Sequence, residues 1–546
     1  MPDKWFGSEA GKSGLAHFDY FKYKGADDFY RENPLPGDDY FYNPVLPGWN
    51  SDPSICKKGG DYFLVTSTFS YFPGVPIFHS TDLVNWKQIG FVLDRTSQLK
   101  LDGQSTSQGI FAPAISYNPY NETFYMITTN IGGGNFFVKT KDPFGSWSEP
   151  VWLPEVHGID PSFFFDDDGK AYIVNNDEPA GPAKYDGHRA IRIREFDVVN
   201  EKVVSPEKIL LDGGVRPEEN PIWIEGPHMY KINGTYFLMA AEGGTSTMHS
   251  EVILKGNSPM GRFIPWENNP ILTQRHLDPN RENPVTCAGH ADLVQDEKGE
   301  WWSVFLACRP IGNNFENLGR ETFLLPVRWS EDNFPYMTQA DELIPMIVRK
   351  EGIKPASGCL NGNFECVDDF DSSKLGFEWF TLRTPATDLF SLVQKTGYLS
   401  LNCSDIHASE RKTPAFVARR IQHHKFECET MLNLASQNQT DAAGMLIYKD
   451  ETHQYFLSVN RSEKNYRVSL KKISEFGTEV IADKEIKEKK FIRLKVISTG
   501  EEFEFYFAGK KSDWELLADK IDAFYLSTAN SFGFTGSTIG MYATQN

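Results

Sequence analysis

The chain has no apolar run of about 18 residues, the length that a helix needs to span a bilayer. Its first residues, Met1 to Lys4, do not open a signal peptide, which begins with a basic segment followed by an apolar one. We therefore expect neither a signal nor a transmembrane segment in this chain. The compartment stays open between the cytoplasm and, with a leader removed, the periplasm or the cell exterior.

Cysteine is sparse, and its spacing is uninformative. The seven cysteines are an odd number, and no two of them are separated by only two residues. This pattern argues against a zinc site and against a full disulfide framework.

Positive charge is also in short supply, because 74 Asp and Glu residues outnumber 55 Lys and Arg residues and leave a formal net charge of −19. Such a surface repels nucleic-acid backbones and anionic membranes, so we expect no nucleic-acid or membrane partner. A neutral substrate fits better. The oligomeric state stays open, with a homo-oligomer among the alternatives.

Aromatic residues are abundant, at 14% of the chain, alongside 44 Gly and 32 Pro. Many short aromatic runs separated by turn residues are typical of an all-β protein. Most of these rings are expected to fill interfaces between sheets. Others can stack on the apolar faces of sugars.

A short pattern recurs five times at intervals of roughly 50–65 residues, each time followed by a turn and a second apolar run. This strand–turn–strand repeat predicts a five-bladed β-propeller. The repeats begin with Asp52-Pro53-Ser54-Ile55, Ala112-Pro113-Ala114-Ile115, Asp160-Pro161-Ser162-Phe163, Gly226-Pro227-His228-Met229 and His290-Ala291-Asp292-Leu293.

The first strand of each blade lies beside the propeller axis, so equivalent positions of the repeats converge in space. These positions hold Asp52, Asp160 and His290, with Glu225 directly before Gly226. Two carboxyl groups on opposite sides of a sugar are what hydrolysis of a glycosidic bond requires. An Asp before Pro can instead cap its own backbone, and axial carboxylates can instead hold a metal ion or water.

The chain divides into four parts by composition. Residues 1–40 are expected to be an N-terminal extension packed on the propeller, which covers residues 41–350. A Gly- and Asn-rich linker over 351–366 leads to residues 367–546, whose alternating strands predict a β-sandwich of the concanavalin or lectin type.

Several motifs together resemble glycoside hydrolase family 43, from about residue 41 to the end. The segment from Thr66 to Gly74 and the whole second domain resemble the family's β-xylosidase and α-L-arabinofuranosidase branch. The motifs that carry the resemblance are Asn43 to Ser54, Gly158 to Ser162, Ile224 to His228, Leu318 to Thr322 and, in the sandwich, Asp368 to Phe370 and Gly533 to Gly536.

The resemblance implies an inverting glycosidase. Asp52 would be the general base, Glu225 the general acid, and Asp160 the residue that raises the pKa of Glu225 and orients it. Arg320 would bind sugar hydroxyls, although a salt bridge with Glu321 or another acid is the alternative. His290 would lie near the sugar or a structural calcium ion, or would be a hydrogen-bonded structural histidine; the reaction requires no cofactor.

The resemblance also implies a closed pocket with aromatic walls. Phe69 corresponds to the family's stacking aromatic, Phe111 stands where relatives often have Trp, and Phe534 would close the pocket from the sandwich. A closed pocket accepts only chain ends, so we expect an exo-acting hydrolase of plant hemicellulose, including xylan, that releases terminal α-L-arabinofuranosyl or β-D-xylosyl residues, with a slight preference for the first. The alternative from another class is a non-catalytic carbohydrate-binding propeller. A sialidase is disfavoured because the axial positions are acidic.

Overall fold

The computed structural model describes residues 14–354, 361–385, 389–463, 465–487 and 491–545. Almost all of its regular elements are strands, as predicted. The helices in these ranges are two α-helices, Asp28–Glu32 and Thr528–Ser531, and two 3₁₀ turns, Pro217–Glu219 and Phe524–Leu526. None of the helices in the described ranges has the length and apolar character to cross a membrane.

Five antiparallel sheets follow one another along the chain and form the blades of the propeller, so the prediction of a five-bladed propeller is confirmed. Each blade begins with its inner strand. In chain order the blades contain Ser54–Lys58, Asp61–Val65, Gly74–Ser80 and Lys87–Leu93; Ile110–Asn118, Thr123–Asn130, Gly134–Thr140 and Val151–Trp152; Ile159–Phe165, Ala171–Asp177, Ala190–Asp197, Lys202–Val203 and Lys208–Asp212; Glu225–Ile232, Thr235–Glu242, Ser250–Gly256, Phe263–Pro265 and Leu272–Thr273; and Thr286–Gln295, Trp301–Cys308 and Glu321–Pro326.

The two ends of the propeller are joined by backbone hydrogen bonds. Leu46 and Thr322 exchange two backbone N–H to C=O hydrogen bonds, each 3.2 Å long. This antiparallel bridge pairs the segment that precedes blade one with a strand of blade five. Farther out, Tyr40–Tyr42 pairs with Ile347–Arg349. A small hairpin, Arg328–Trp329 and Pro335–Tyr336, follows blade five. Because the ring of blades is closed in this way, its axial residues are held in fixed relative positions.

The second domain is a sandwich of two eight-stranded sheets, as predicted. One sheet contains Phe390–Ser391, Leu399–Asn402, Leu15–Gly25, Lys425–Ala435, Ile492–Thr499, Glu502–Gly509 and Glu515–Asp522, with Glu365–Asp368 also paired to Leu15–Gly25. The other contains Gly477–Ile486, Asn465–Ser474, His453–Ser462, Asp441–Asp450, Thr538–Gln545, Ala415–Arg420, Phe380–Leu382 and Tyr71–Phe72.

The strand Leu15–Gly25 corrects the prediction that all of residues 1–40 pack on the propeller, although Asp27 and Tyr30 do contact Arg309, which follows the second strand of blade five. Leu15–Gly25 is an interior strand of the sandwich, paired with Leu399–Asn402 and Lys425–Ala435. Its apolar side chains, among them Phe18 and Phe21, are buried in the sandwich core. The physical reason is the alternation of apolar and polar residues, which supplies one apolar face to a sheet. Residues 1–13 of the predicted extension and 355–360 of the predicted linker lie outside the described residues.

The propeller and the sandwich share one sheet. Tyr71–Phe72, which follows the second strand of blade one, extends the sandwich sheet by pairing with Phe380–Leu382. The N–H of the buried Arg383 donates to the Ser70 carbonyl at 2.7 Å. These contacts fix the sandwich against the propeller beside the first blade, close to Phe69.

Candidate active site

The five blades begin with the same backbone irregularity. In blades two to five the ladder register shifts at this point, which is a β-bulge. A bulge bends the strand and redirects a side chain. A left-handed backbone costs a non-glycine residue roughly 1–3 kcal/mol, which the surrounding fold must offset. The first residue of every repeat adopts this left-handed conformation. Its φ is 53° at Asp52, 36° at Ala112, 52° at Asp160, 55° at Gly226 and 51° at His290.

One cavity lies where these irregular positions converge, and its volume is about 230 Å³. All eight site residues named from the sequence are in its wall. The cavity is lined by Asp52, Phe69, Phe111, Ala112, Ile159, Asp160, Trp223, Glu225, Gly244, Thr245, His290, Arg320 and Phe534.

Asp52 is held by hydrogen bonds on both carboxylate oxygens. The Ser67 hydroxyl donates to its Oδ2 at 2.6 Å, and Arg320 Nη1 donates to its Oδ1 at 3.3 Å. The Ala112 N–H donates to the Ser67 oxygen at 2.8 Å, which leaves the hydroxyl proton directed at the carboxylate. Three separate parts of the propeller therefore orient one carboxylate.

The environment of Asp52 favours its ionised form. Burial works to raise its pKa, but the charge of Arg320, the His290 imidazole and the Ser67 hydrogen bond outweigh burial, and the pKa is lowered from its ordinary value. Burial also lowers the pKa of His290 to about 4, so this imidazole is neutral near pH 7. Arg320 is thus the permanent positive charge that keeps Asp52 a carboxylate, which can accept a proton.

Asp160 and Glu225 form a pair with the opposite tendency. Burial, followed by the negative charge of Asp52, raises the pKa of Asp160 to about 7. Burial, followed by the charges of Asp160 and Asp52, raises the pKa of Glu225 well above its ordinary value. The Gly226 N–H donates to Asp160 Oδ2 at 3.1 Å and holds that carboxylate beside Glu225. The protonated form of Glu225 is therefore favoured, and in this form it can donate a proton.

Three phenylalanine rings form the apolar side of the cavity. Phe69 is stacked with Phe534 at a centroid distance of 6.0 Å, and Phe111 meets both rings edge-on, at 5.6 and 5.5 Å. Phe534 is contributed by the sandwich, and its N–H donates to the Ser107 hydroxyl of the propeller at 2.9 Å. The second domain therefore forms part of the cavity wall.

Arg320 faces the cavity, and its expected alternative partner Glu321 is engaged elsewhere. Glu321 is fully buried and accepts hydrogen bonds from Arg309 at 2.7 and 2.9 Å and from the Gly48 N–H at 2.7 Å. The salt bridge of Arg320 is with Asp52. Its guanidinium lies 5.2 Å from the centroid of Phe534.

Few protein groups near His290 could ligate the calcium ion that was expected there. The imidazole Nδ1 lies 3.9 Å from Asp52 Oδ1. His290 does not belong to a group of three or more converging protein ligands in the described part of the chain. Calcium takes six to eight oxygen ligands. An ion here would have to be held mainly by water.

The sequence analysis did not single out Ser67, which holds Asp52, or Trp223, which lines the cavity. Ser67 stands two residues before Phe69, inside a quoted motif, but its contact with Asp52 depends on the fold. Trp223, two residues before Glu225, lines the cavity, and Arg189 covers its ring at 4.3 Å. No sequence signal pointed to Trp223, because its left-handed φ of 51° interrupts the extended backbone on which residues two apart face the same side.

Comparison with known proteins finds matches to both domains of this chain. Residues 41–335 match the family model described as glycosyl hydrolases family 43, and residues 367–546 match the β-xylosidase C-terminal concanavalin A-like domain. A xylosidase/arabinosidase of Butyrivibrio fibrisolvens is 36% identical over 522 residues, which cover 92% of this chain and 96% of that protein. A non-reducing-end α-L-arabinofuranosidase of Bacteroides ovatus is 35% identical over 93% of this chain and 92% of its own.

Solved structures show the same two-domain arrangement. The crystal structure of a GH43_12 protein retrieved from a capybara gut metagenome has a TM-score of 0.92 and 42% identity, and the match covers 98% of this chain and 100% of that one. The similar curated proteins are named as enzymes, so the comparisons give no support to a non-catalytic sugar-binding propeller.

Proposed function

This chain belongs to glycosyl hydrolases family 43, and from that membership and its cavity we propose an exo-acting, inverting hydrolase of α-L-arabinofuranosides or β-D-xylosides. The observation that carries the proposal is the contrast between the buried carboxyl groups of one small cavity. The pKa of Asp52 is lowered, whereas those of Asp160 and Glu225 are raised.

Glu225 is the general acid of the proposed reaction. Its proton is transferred to the glycosidic oxygen while the bond to the anomeric carbon breaks, which neutralises the leaving alkoxide. Asp160 acts on this step through Glu225. Its negative charge raises the pKa of Glu225, and its position beside Gly226 orients the acid.

Asp52 is the general base. Its carboxylate accepts a proton from a water molecule as the water oxygen attacks the anomeric carbon from the face opposite the leaving group. Inverting enzymes place the two carboxyl groups about 6.5–9.5 Å apart to accommodate this water. One displacement inverts the configuration at the anomeric carbon, and Glu225 ends ionised and Asp52 protonated.

Exo action is supported by the small size of the cavity and by its aromatic wall. Its volume of about 230 Å³ is below the 300–1,000 Å³ usual for ligand pockets. The rings of Phe69, Phe111 and Phe534 wall one side, and a polysaccharide chain cannot run through them. The cavity suits one terminal sugar.

The substrate is a carbohydrate, and we propose terminal α-L-arabinofuranose or β-D-xylose on hemicellulose oligosaccharides, with arabinofuranose preferred. The relatives carry both names, xylosidase/arabinosidase and non-reducing-end α-L-arabinofuranosidase. The two sugars present equivalent hydroxyl groups in nearly the same space. Neutral substrates also suit a chain with a net charge of −19.

The first test is hydrolysis of p-nitrophenyl α-L-arabinofuranoside and of p-nitrophenyl β-D-xyloside. The second test uses arabinoxylan and xyloglucan oligosaccharides as substrates and identifies the first-formed anomer of the released sugar by proton NMR. We expect turnover of at least one glycoside and release of the inverted anomer from chain ends. Asp52→Asn and Glu225→Gln should each reduce kcat by about 10²–10⁴-fold. Lack of turnover of both glycosides would disprove the activity, and a retained anomer would disprove the single displacement.

A further inference from the structure

Two cysteines and a glutamate lie together in blade five and the loop after its second strand. Cys287 is in the inner strand of blade five, Cys308 ends the next strand, and Glu316 is in the loop that follows. Their sulfur and carboxylate atoms all lie within 4.8 Å of one another, and Cys287 Sγ donates to Glu316 Oε1 at 3.2 Å. In the described part of the chain this is the only group of three such ligands.

We propose that Cys287, Cys308 and Glu316 form a binding site for a soft divalent cation of the zinc type. Thiolates bind zinc at about 2.3 Å and carboxylates at about 2.0–2.2 Å, with tetrahedral geometry. Ligand atoms already within 4.8 Å of one another need only small movements to reach one ion. The three protein ligands leave the fourth position for water. None of them lines the sugar cavity.

The surroundings can balance the charge of an occupied site. Binding replaces the proton of each thiol, so a divalent ion with two thiolates and one carboxylate carries one net negative charge. The buried Lys449 provides a positive charge whose electrostatic partners include Glu316 and Cys308. Lys449 Nζ donates to the Thr528 hydroxyl at 3.0 Å, and the Thr528 N–H donates to the Glu316 carbonyl at 3.1 Å.

The absence of closely spaced cysteines argued against zinc, but that argument concerns ligands from one loop. Here the two thiols come from neighbouring strands of one sheet, which are paired through Thr286 and Cys308. Antiparallel pairing brings residues together regardless of the number of residues between them. The sequence spacing therefore carries no signal for this site.

The experiment is a titration of the full-length reduced protein with cadmium chloride. Binding is monitored through the thiolate-to-cadmium charge-transfer absorption. Cadmium is a soft divalent ion, and the absorption reports sulfur ligation independently of glycosidase activity. We expect the absorption to saturate near one equivalent and to be displaced by zinc. No charge-transfer absorption in the wild-type protein would overturn the proposal.

Variants connect the absorption to the three ligands. Cys287→Ser/Cys308→Ser should abolish the site's absorption, and Glu316→Gln should weaken binding by about tenfold or more. Cys428→Ser, which alters a buried thiol of the sandwich, should leave the absorption and the cadmium affinity unchanged. Undiminished absorption in the double variant, or unchanged affinity in Glu316→Gln, would overturn the site. Because Glu316 is only partly buried, Glu316→Gln keeps the test decisive if the double variant does not fold.

Discussion

At the scale of single residues, the acid and the base of the proposed reaction differ in their neighbours more than in their burial. Asp52 and Glu225 are 6% and 7% exposed, so desolvation acts on both. Arg320 stands beside Asp52, whereas Glu225 experiences the negative charge of Asp160. A positive neighbour lowers the pKa of Asp52, and a negative neighbour raises the pKa of Glu225, so the two pKa values move apart.

Asp160→Asn should shift the alkaline limb of the kcat/KM profile to lower pH. The substitution removes a negative charge beside Glu225, so the pKa of Glu225 falls and the acid loses its proton earlier as pH rises. The acid limb, governed by Asp52, should stay in place. A pH–rate profile checks this, and an unmoved alkaline limb would contradict the role of Asp160.

Arg320→Met should move the acid limb to higher pH. Without the guanidinium the pKa of Asp52 rises, so the base is protonated, and activity is lost, at a higher pH than in the wild type. Arg328→Met, which removes an exposed partner of Glu342, is the matched control and should leave the profile unchanged. Coincident profiles for the three proteins would refute electrostatic control by Arg320.

At the scale of elements, the loop before the last strand of the sandwich supplies Phe534 to the cavity wall. It reaches the propeller through two backbone N–H donors, Phe534 to the Ser107 hydroxyl and Ser537 to the Asn317 carbonyl, both at 2.9 Å. On the sandwich side, Lys449 Nζ donates to the Thr535 carbonyl and to Thr528. The loop is thus held from both domains.

Lys449→Met should raise KM several-fold while changing kcat little, because the Thr535 carbonyl loses its donor and Phe534 becomes less well positioned. Burial lowers the pKa of Lys449 to about 8, so the ammonium loses its charge above that pH. The wild-type KM should accordingly rise at alkaline pH, whereas the variant's KM should not. Lys511→Met, at an exposed position, is the control. A KM equal to that of the control would contradict the positioning role.

At the scale of the whole molecule, the two domains are interlocked by chain crossings. The strand Leu15–Gly25 precedes the propeller in sequence but lies inside the sandwich. Tyr71–Phe72 of the propeller ends a sandwich sheet. The sandwich therefore cannot be complete without segments from before and within the propeller, and the cavity cannot be complete without the sandwich.

Phe18→Ala should destabilise the protein by about 3–5 kcal/mol, the usual cost of removing a buried phenylalanine ring. Phe18 is fully buried in the sandwich core. Lys24→Ala, on the same strand but exposed, should change stability by less than about 0.5 kcal/mol. Thermal or denaturant unfolding measures both, and equal midpoints would contradict the placement of this strand.

The sequence by itself determined the blades, the sandwich and the identity of the three carboxyl groups. The repeat gives equivalent positions to Asp52 and Asp160, and periodic alternation is a local property that one chain segment displays alone. The N-terminal strand was misassigned because alternation shows that a segment forms a strand but not which sheet it joins.

Only the tertiary structure shows which neighbours lower the pKa of Asp52 and raise that of Glu225, and which contacts hold each carboxyl group. The pKa of Asp52 depends on Arg320, which arrives from blade five, and that of Glu225 depends on Asp160 from blade three. The same holds for Ser67 and Lys449, whose hydrogen-bond partners are distant in sequence, and for the thiol cluster, which is assembled by strand pairing. Electrostatic and hydrogen-bond energies depend on separations in space, which a linear spacing does not contain.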